Sequence, residues 1–336
     1  MKRRVFLGSL AGSALLACGC NKPGSSATLD GGATGRIRIA VIPKGTTHEF
    51  WKSVHAGAVK ASRELGVEIV WKGPMKEDDL RAQIELVQSF VAQRVSGIVL
   101  APLSDKALVG SVRSAHDAGI PVVVFDSDLQ SDLPTSFVAT DNVAAGRLAG
   151  EHMSKLLGGQ GKVVLLRYQE GSASTANREK GFLEAIRATP GIELVSDNQY
   201  AGATTETAFS TSESLLVAKK AASGGVQGVF APNESSTFGM LLALRKAGLA
   251  GKVRFVGFDA SEKLVQALRE GHLDAVVLQA PMNMGYLAVK TLHQKLTDQK
   301  FEKRVDTGAV LATKDNLDTP AVRELVAPDL KTWLGE

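Results

Sequence analysis

The sequence predicts an α/β protein built on parallel sheets, and three observations support this fold class. Short apolar runs of strand length alternate along the chain with segments of helical periodicity. The run 122–125 is apolar at every position, which is typical of a strand that helices cover on both faces. The length of 336 residues exceeds what one hydrophobic core usually holds, so two lobes are expected.

The first series of elements is predicted between residues 36 and 157. Leu80, Ile84, Val87 and Val91 mark one of its helices by their spacing. Its strands are predicted at 37–42, 67–71, 97–101, 120–125 and 137–140, and its other helices at 50–65, at 105–118 and from 143 to 157.

A second series follows the same alternation to the C-terminus. Its strands are predicted at 163–166, 192–196, 226–231, 253–257, 275–278 and 305–310. Its helices are predicted at 175–188, 207–222, 236–247, 261–269 and 284–296. The tail 314–334 is predicted to form loops with a short helix. Such strand–helix–strand alternation predicts parallel sheets with right-handed crossovers.

Residues 1–17 have the form of an export signal, with a basic start followed by an apolar stretch rich in small residues. The pair at 3–4 resembles a twin-arginine signal. The residues 15–18 resemble a bacterial lipobox, which predicts Cys18 as the lipidated residue. Cleavage before Cys20 is a poorer match, because Ala17 stands where a large apolar residue is expected. Residues 18–35, rich in Gly, Ser and Thr, are predicted to be a flexible tether.

Composition excludes several function classes. The formal net charge of +4 includes three cations of the predicted signal, so the remainder gives no electrostatic reason to expect nucleic acid as a partner. Both cysteines lie at positions 18 and 20, which predicts a folded part without disulfides or cysteine chemistry. The histidines lack metal-binding spacing, and no nucleophile-elbow or dinucleotide motif occurs, so no metal and no cofactor are predicted.

Polar side chains follow several predicted strands at their carboxyl ends, where parallel sheets bind ligands. Carboxylates and amides can bind hydroxyl groups, and aromatic faces can pack on a sugar ring. Each residue also has a purely structural interpretation, as a helix cap, a core aromatic or a solvated arginine. The candidates are Asp126, Asn233, Asp259 and Gln279 at strand ends, Phe50 and Trp51 at a helix start, and Arg178 in the first turns of a helix.

The order of these motifs resembles the periplasmic sugar-binding proteins of ABC transporters, of the ribose and galactose type (type I periplasmic binding proteins). The resemblance runs from Arg36 to the C-terminus. It rests on seven motifs in the family's order: Phe50-Trp51 before Ala56-Gly57-Ala58, Ile120-Pro121-Val122 with Asp126, Thr140-Asp141-Asn142 with Gly146, Arg178 before Gly181-Phe182, Asn233-Glu234, Val256-Gly257-Phe258-Asp259, and Gln279 with Pro281. It implies two doubly wound parallel-sheet lobes joined by a three-segment hinge near 140–142, 279–281 and 306–309. The N-terminal lobe would be 36–140 plus 282–307, and the C-terminal lobe 141–281 plus 308–336.

The resemblance also implies roles for single residues. Phe50 and Trp51 would sandwich a sugar ring, and His48 takes the place of a ligand-contacting asparagine. The hydroxyl groups would be bound by Asp126, Arg178, Asn233, Asp259 and Gln279.

The chain departs from the ribose type in two ways. Ser127 and Asp128 follow the strand aspartate where an arginine is expected, and no aromatic residue stands between Tyr200 and Thr207. The roles of Lys44, Ser127 and Asp128 are left unassigned.

The resulting prediction is a lipid-anchored, monomeric substrate-binding protein of the periplasm or cell envelope, without enzymatic activity. It would capture a monosaccharide or polyol by hinge closure and deliver it to a membrane permease. Two alternatives stay open: a sensor that presents a sugar or a furanosyl autoinducer to a receptor, and an α/β enzyme with Asp126 and Asp259 as an acid–base pair. A repressor core is disfavoured, because the signal and tether occupy the place of a DNA-binding domain.

Overall fold

The computed structural model describes residues 36–335. The predicted signal, Cys18 and the tether therefore lie outside the described residues. The strands are β1 (Arg38–Ile42), β2 (Glu68–Trp71), β3 (Gly97–Leu100), β4 (Val122–Phe125), β5 (Ser136–Ala139), β6 (Gly161–Arg167), β7 (Ile192–Tyr200), β8 (Gly228–Phe230), β9 (Arg254–Phe258), β10 (Ala275–Gln279), β11 (Arg304–Asp306) and β12 (Ala309–Thr313).

Helices alternate with these strands, as the periodicity predicts. They are α1 (Glu49–Leu65), α2 (Leu80–Ala92), α3 (Val109–Asp117), α4 (Asn142–Leu156), α5 (Ala173–Arg187), α6 (Thr205–Ala218), α7 (Glu234–Lys246), α8 (Glu262–Glu270), α9 (Pro281–Leu296), α10 (Pro320–Val326) and α11 (Leu330–Leu334). Within residues 36–335, none of them is long and apolar enough to cross a membrane.

The strands of the described part form two sheets of six strands with equivalent order. The first sheet runs β11-β5-β4-β3-β1-β2, and the second runs β12-β10-β9-β8-β6-β7. Neighbouring strands are parallel except for the antiparallel pair β10–β12. We call each sheet with the helices packed on it a lobe. The predicted fold class is confirmed.

Each sheet is covered by apolar side chains on both faces. In β1, Ile39 and Val41 pack into one hydrophobic cluster, whereas Ala40 and Ile42 pack into another. All four side chains are fully buried. Successive side chains of a strand point to opposite faces, so a strand buried on both faces must be apolar throughout.

The chain passes between the two sheets three times: after β5, after β10, and between β11 and β12. The prediction of one strand over 305–310 is wrong, because this stretch forms two strands that belong to different sheets. Gly308 separates them with a φ of 77°, a left-handed conformation that extended strands do not contain. β11 pairs with β5, and β12 pairs with β10.

Two pairs of helices, α1 with α9 and α4 with α5, approach each other closely at glycines. A Cβ atom at Gly57 of α1 would collide with the carbonyl oxygen of Met282 in α9. A Cβ atom at Gly146 of α4 would collide with the carbonyl oxygen of Arg178 in α5. The absence of a side chain at Gly146 therefore permits the position that Arg178 takes beside the cavity described below.

The C-terminal tail returns to the first lobe. Arg63 of α1 donates hydrogen bonds to the carbonyl oxygens of Thr332 (3.2 Å) and Trp333 (3.1 Å) in α11. The predicted boundaries place all of 308–336 in the second lobe, so the contacts of α11 differ from that grouping. The remaining domain boundaries stay predictions.

Candidate binding site

Two aspartates occupy equivalent positions in the two lobes. Asp126 follows β4 with a φ of 60°, and Asp259 follows β9 with a φ of 65°. The backbone N–H of Asp126 donates to the Val138 carbonyl (3.0 Å), and that of Asp259 donates to the Val277 carbonyl (2.9 Å). Aspartate tolerates this left-handed conformation better than most residues. The sharp turn ends each strand and directs the chain away from the sheet.

All eight ligand-binding residues proposed from the sequence line one cavity between the lobes. The volume inside it that a water-sized sphere can reach is about 20 Å³. The lining comprises His48, Phe50, Trp51, Asp126, Arg178, Asn233, Asp259 and Gln279, together with Lys44, Glu77, Tyr168, Ser174, Thr175 and Glu234. The structure thus brings the candidates together, and their contact with a ligand stays a prediction.

Asp126 is paired with cations from both lobes. Lys44, in the loop after β1, places its Nζ 3.2 Å from Asp126 Oδ2, and Arg178 Nη2 lies 3.9 Å from Asp126 Oδ1. All three side chains are at most 5% exposed. Lys44 thus supplies the cation that the sequence at 127–128 lacks.

Ser127 and Asp128 have different surroundings. The Ser127 hydroxyl accepts a hydrogen bond from the backbone N–H of Ser174 in the second lobe (3.1 Å). The Asp128 side chain is 47% exposed and lies 3.7 Å from Arg304. Of these two residues, Ser127 contributes a contact between the lobes, whereas Asp128 does not line the cavity.

Asp259 lies in a network of the second lobe. Its Oδ1 accepts a hydrogen bond from Gln279 Nε2 (2.7 Å), and its Oδ2 accepts one from the Glu234 backbone N–H (3.1 Å). Arg178 Nη1 lies 4.0 Å from Oδ2. Burial raises the pKa of Asp259, while Arg178 and Gln279 oppose that change.

Arg178 is held rigidly between the two aspartates. Its Nε donates to Asn142 Oδ1 (2.7 Å), its Nη1 donates to the Pro232 carbonyl (2.9 Å), and its guanidinium lies 4.0 Å from the centre of the Phe258 ring. These contacts fix a planar cation in one orientation. The interpretation of Arg178 as a solvated helix residue is wrong, since it is 2% exposed.

Phe50 and Trp51 are both buried, and their rings meet edge to face. The ring planes make an angle of 85° with centroids 4.8 Å apart, and Trp51 makes a similar contact with Phe125. Perpendicular rings cannot stack on opposite faces of one sugar, so the expected sandwich by these two residues does not fit this geometry. One ring can cover a face while the other borders an edge.

His48 and Glu77 form a buried ion pair with 2.7 Å between Nδ1 and Oε1. Burial alone would lower the pKa of His48, but Glu77 outweighs burial and raises it to about 9. Burial alone would raise the pKa of Glu77, but His48 and Lys44 lower it to about 2. Both groups are therefore charged at neutral pH.

Glu234 joins the lobes at the start of α1. Its carboxylate accepts hydrogen bonds from the backbone N–H groups of Glu49 (3.3 Å) and Phe50 (3.1 Å), which are unpaired donors of the first helical turn. The neighbouring Asn233 caps α7 through the Ser236 N–H (3.2 Å). The cap interpretation of Asn233 is therefore correct, and the residue also lines the cavity.

Two buried polar atoms of this cavity lack hydrogen-bond partners. Within residues 36–335, buried side-chain nitrogen or oxygen atoms without such a partner occur at four positions, and Arg178 Nη2 and Gln279 Oε1 are two of them. Leaving a buried polar group unpaired costs roughly 1–3 kcal/mol. The cavity therefore offers one donor and one acceptor to a polar ligand.

Several lining residues were missed by sequence reasoning. Tyr168 directly follows β6, so the rule applied to other strand ends could have found it, and it provides an aromatic side chain from the second lobe. Glu77 lies in an irregular loop six residues after β2, and no pattern marks it. Among the described residues, no cluster of His, Cys, Asp and Glu is arranged to hold a metal ion.

Comparison with known proteins gives the family. The family described as "Periplasmic binding protein domain" matches residues 39–300, which is most of the chain. The chain belongs to this family. The family and the substrate-binding role predicted from the motifs are confirmed, and members of the family are solute-binding proteins of the periplasm.

Relatives of this periplasmic binding protein include transport proteins for sugars. The ribose import binding protein RbsB of Escherichia coli is 29% identical over 293 residues, covering 86% of this chain and 95% of the relative. An ABC transporter solute-binding protein from Agrobacterium vitis, solved with bound D-fucose, is 36% identical with a TM-score of 0.82, covering 86% of this chain and 99% of that structure.

A second solved structure agrees with the first. A carbohydrate transporter solute-binding protein from Agrobacterium radiobacter, in complex with D-arabinose, is 32% identical with a TM-score of 0.82. The similarity covers 88% of this chain and all of that structure. These proteins are similar to this chain over both lobes.

Proposed function

We propose that this protein binds one neutral monosaccharide between its lobes and delivers it to a membrane permease. The observation that carries the proposal is the cavity between the lobes, in which a buried donor, Arg178 Nη2, and a buried acceptor, Gln279 Oε1, have no hydrogen-bond partner within the described chain. A sugar hydroxyl both donates and accepts hydrogen bonds, so it can satisfy either atom.

The charges of the cavity support a neutral ligand. Lys44 and Arg178 lie beside Asp126, and Arg178 also lies beside Asp259. His48 is paired with Glu77. Because the cations are close to carboxylates, an acidic ligand would meet little uncompensated positive charge and would bury its own charge at high cost.

Direct contacts between the lobes support a closing mechanism. Lys44 Nζ donates to the hydroxyls of Ser172 (3.2 Å) and Ser174 (3.0 Å), and the Asp105 backbone N–H donates to the Gly171 carbonyl (2.9 Å). A sugar that contacts both lobes favours the closed form by its differential binding energy. The permease would recognise that form, with the protein exported and tethered through lipid at Cys18 as a monomer.

A thermal-shift screen tests this function. Ribose, allose, D-fucose and D-arabinose are the first candidates, because relatives are named for or solved with these sugars. We expect at least one neutral monosaccharide to raise the melting temperature, because a ligand of the folded state stabilises it. The bound sugar should be recovered unchanged, whereas its conversion would support the enzyme alternative. A screen in which no neutral sugar stabilises the protein would contradict the proposal.

A further inference from the structure

Glu77 has an unusual set of partners for a loop residue. Its side chain is 7% exposed, although it belongs to the irregular segment between β2 and α2. Its stem is confined, because a Cβ atom at Gly45 would lie 2.9 Å from Glu77 Cγ. The carboxylate is thus held in one position at the rim of the cavity.

The two carboxylate oxygens of Glu77 accept hydrogen bonds from different lobes. Oε1 accepts from His48 Nδ1 and Trp51 Nε1, each at 2.7 Å, and both partners belong to the first lobe and line the cavity. Oε2 accepts from the Tyr168 hydroxyl at 2.7 Å, and Tyr168 belongs to the second lobe. The Glu77 carbonyl also accepts from Gln169 Nε2 (2.9 Å).

We propose that Glu77 is a positioning residue that couples the sugar-contacting side chains of the first lobe to closure of the second lobe. The inference rests on the proposed function. Oε1 orients His48 and Trp51 whether the lobes are open or closed, because all three residues share a lobe. Oε2 receives Tyr168 when the lobes meet.

The chemistry of Glu77 suits this role. Hydrogen bonds from three donors to one carboxylate are charge-assisted, and such bonds are stronger than those between neutral groups. The carboxylate remains ionised because of His48, so it is a strong acceptor before the lobes close. A sugar that displaced His48 or Trp51 would disturb the same carboxylate that receives Tyr168. Correct ligand contact and closure are therefore linked through one side chain.

Removing the Tyr168 hydroxyl tests the contact between the lobes. We expect Tyr168→Phe to bind the best sugar of the screen about tenfold more weakly, because one charge-assisted hydrogen bond of the closed form is lost. The loss should appear as faster dissociation with little change in the association rate. The ligand-free melting temperature should not change.

Tyr286→Phe is a matched control. The Tyr286 hydroxyl donates to Glu64 at 2.8 Å, so this variant also removes a tyrosine–glutamate hydrogen bond, but within the first lobe and away from the cavity. Its sugar affinity should equal that of the parent. If Tyr168→Phe also binds within twofold of the parent, the inference is wrong.

Glu77→Gln tests whether Tyr168 acts through Glu77. In the Glu77→Gln background, adding Tyr168→Phe should weaken sugar binding by no more than about twofold, because the two residues share one interaction. His48 loses its anionic partner in this variant, so the pH profile of sugar affinity between pH 6 and 8 should differ from that of the parent, in which the His48–Glu77 pair keeps its charges over that range. Additive losses, together with a pH profile equal to that of the parent, would contradict a positioning role.

The outcomes separate the two proposals. A parent protein that binds no neutral sugar overturns the proposed function and the inference that rests on it. A parent that binds sugar, together with a Tyr168→Phe variant that binds equally well, overturns the inference alone.

Discussion

At the scale of single residues, Asp126 lies between two cations that belong to different lobes. Replacement by Asn keeps the size of the side chain and tolerates the left-handed backbone. It also leaves Lys44 and Arg178 facing a neutral amide in a buried site. We expect Asp126→Asn to weaken sugar affinity by roughly 100-fold, measured by titration calorimetry, since an unpaired buried charge costs about 3 kcal/mol or more.

Asp128→Asn is the matched control for this substitution. Asp128 carries the same side chain two residues later, but it is half-exposed and points away from the cavity toward Arg304. Its affinity should lie within twofold of the parent. Equal affinities of Asp126→Asn and the parent would show that Asp126 makes no contribution to ligand binding.

Protonation of the Glu234 carboxyl group is expected to make sugar binding depend on pH. Burial raises the pKa of its carboxyl group to about 7 in the closed form, while His48 and the Phe50 N–H oppose the change. Opening would return the group to water and a pKa near 4.5. Closure is therefore accompanied by uptake of a proton at Glu234. The contribution of this group to the stability of the closed form is full below about pH 4.5 and is lost as the pH rises through about 7.

With these two pKa values, we expect sugar affinity to fall by roughly 70-fold between pH 5 and pH 8, and Glu234→Gln to flatten this profile. Glu179 is the control, because burial also raises its pKa to about 7, but its partners Arg167 and Tyr168 N–H lie in its own lobe. Glu179→Gln should alter the pH dependence of unfolding and leave that of binding unchanged. An affinity that increases with pH would refute the assignment.

The expectation that polar residues at the carboxyl ends of strands bind a ligand located four residues from sequence: Asp126, Asn233, Asp259 and Gln279. It succeeded because the carboxyl ends of parallel strands meet at one edge of the sheet, independently of loop conformation. It could not locate Glu77, whose position depends on contacts with Gly45, His48 and Trp51 that are distant in sequence or set by the loop. Nor could it give the angle between the rings of Phe50 and Trp51, which depends on packing against Phe125.

At the scale of elements, the close contact of α4 and α5 fixes the start of the helix that carries Arg178. We expect Gly146→Ala to destabilise the protein by about 1–3 kcal/mol in urea denaturation, because its methyl group would collide with the Arg178 carbonyl. Sugar affinity should also fall, since the collision displaces Arg178.

Gly110→Ala in α3 is the control for this element. An added Cβ atom there meets no other atom within 4 Å. The substitution should be neutral or stabilise the protein by roughly 0.5 kcal/mol, because alanine favours helices more than glycine does. If Gly146→Ala is as stable as Gly110→Ala, the close approach of α4 and α5 does not constrain the fold.

Helix boundaries were less predictable than strand ends, and α3 shows why. The sequence predicts this helix from residue 105, but it begins at Val109. The Asp105 backbone N–H donates to the Gly171 carbonyl of the second lobe, and the Ala107 N–H donates to the Ser104 hydroxyl. These residues therefore form a turn at the contact between lobes, which local periodicity cannot reveal.

At the scale of the whole molecule, the two lobes repeat one strand order and place an aspartate at the same point of each. Residues of both lobes line the cavity, and its carboxylates and cations lie beside one another. We therefore expect the enclosed molecule to carry hydroxyl groups and no net charge. Burial of a further charge would leave it without a counter-ion.

Titration calorimetry with a neutral sugar and its acid counterpart tests this claim most directly. The best neutral monosaccharide of the screen and the uronic acid of the same ring configuration differ in one carboxylate. We expect one site per chain for the neutral sugar and binding at least about 100-fold weaker for the acid. Tighter binding of the acid, or no binding of any neutral monosaccharide, would contradict it.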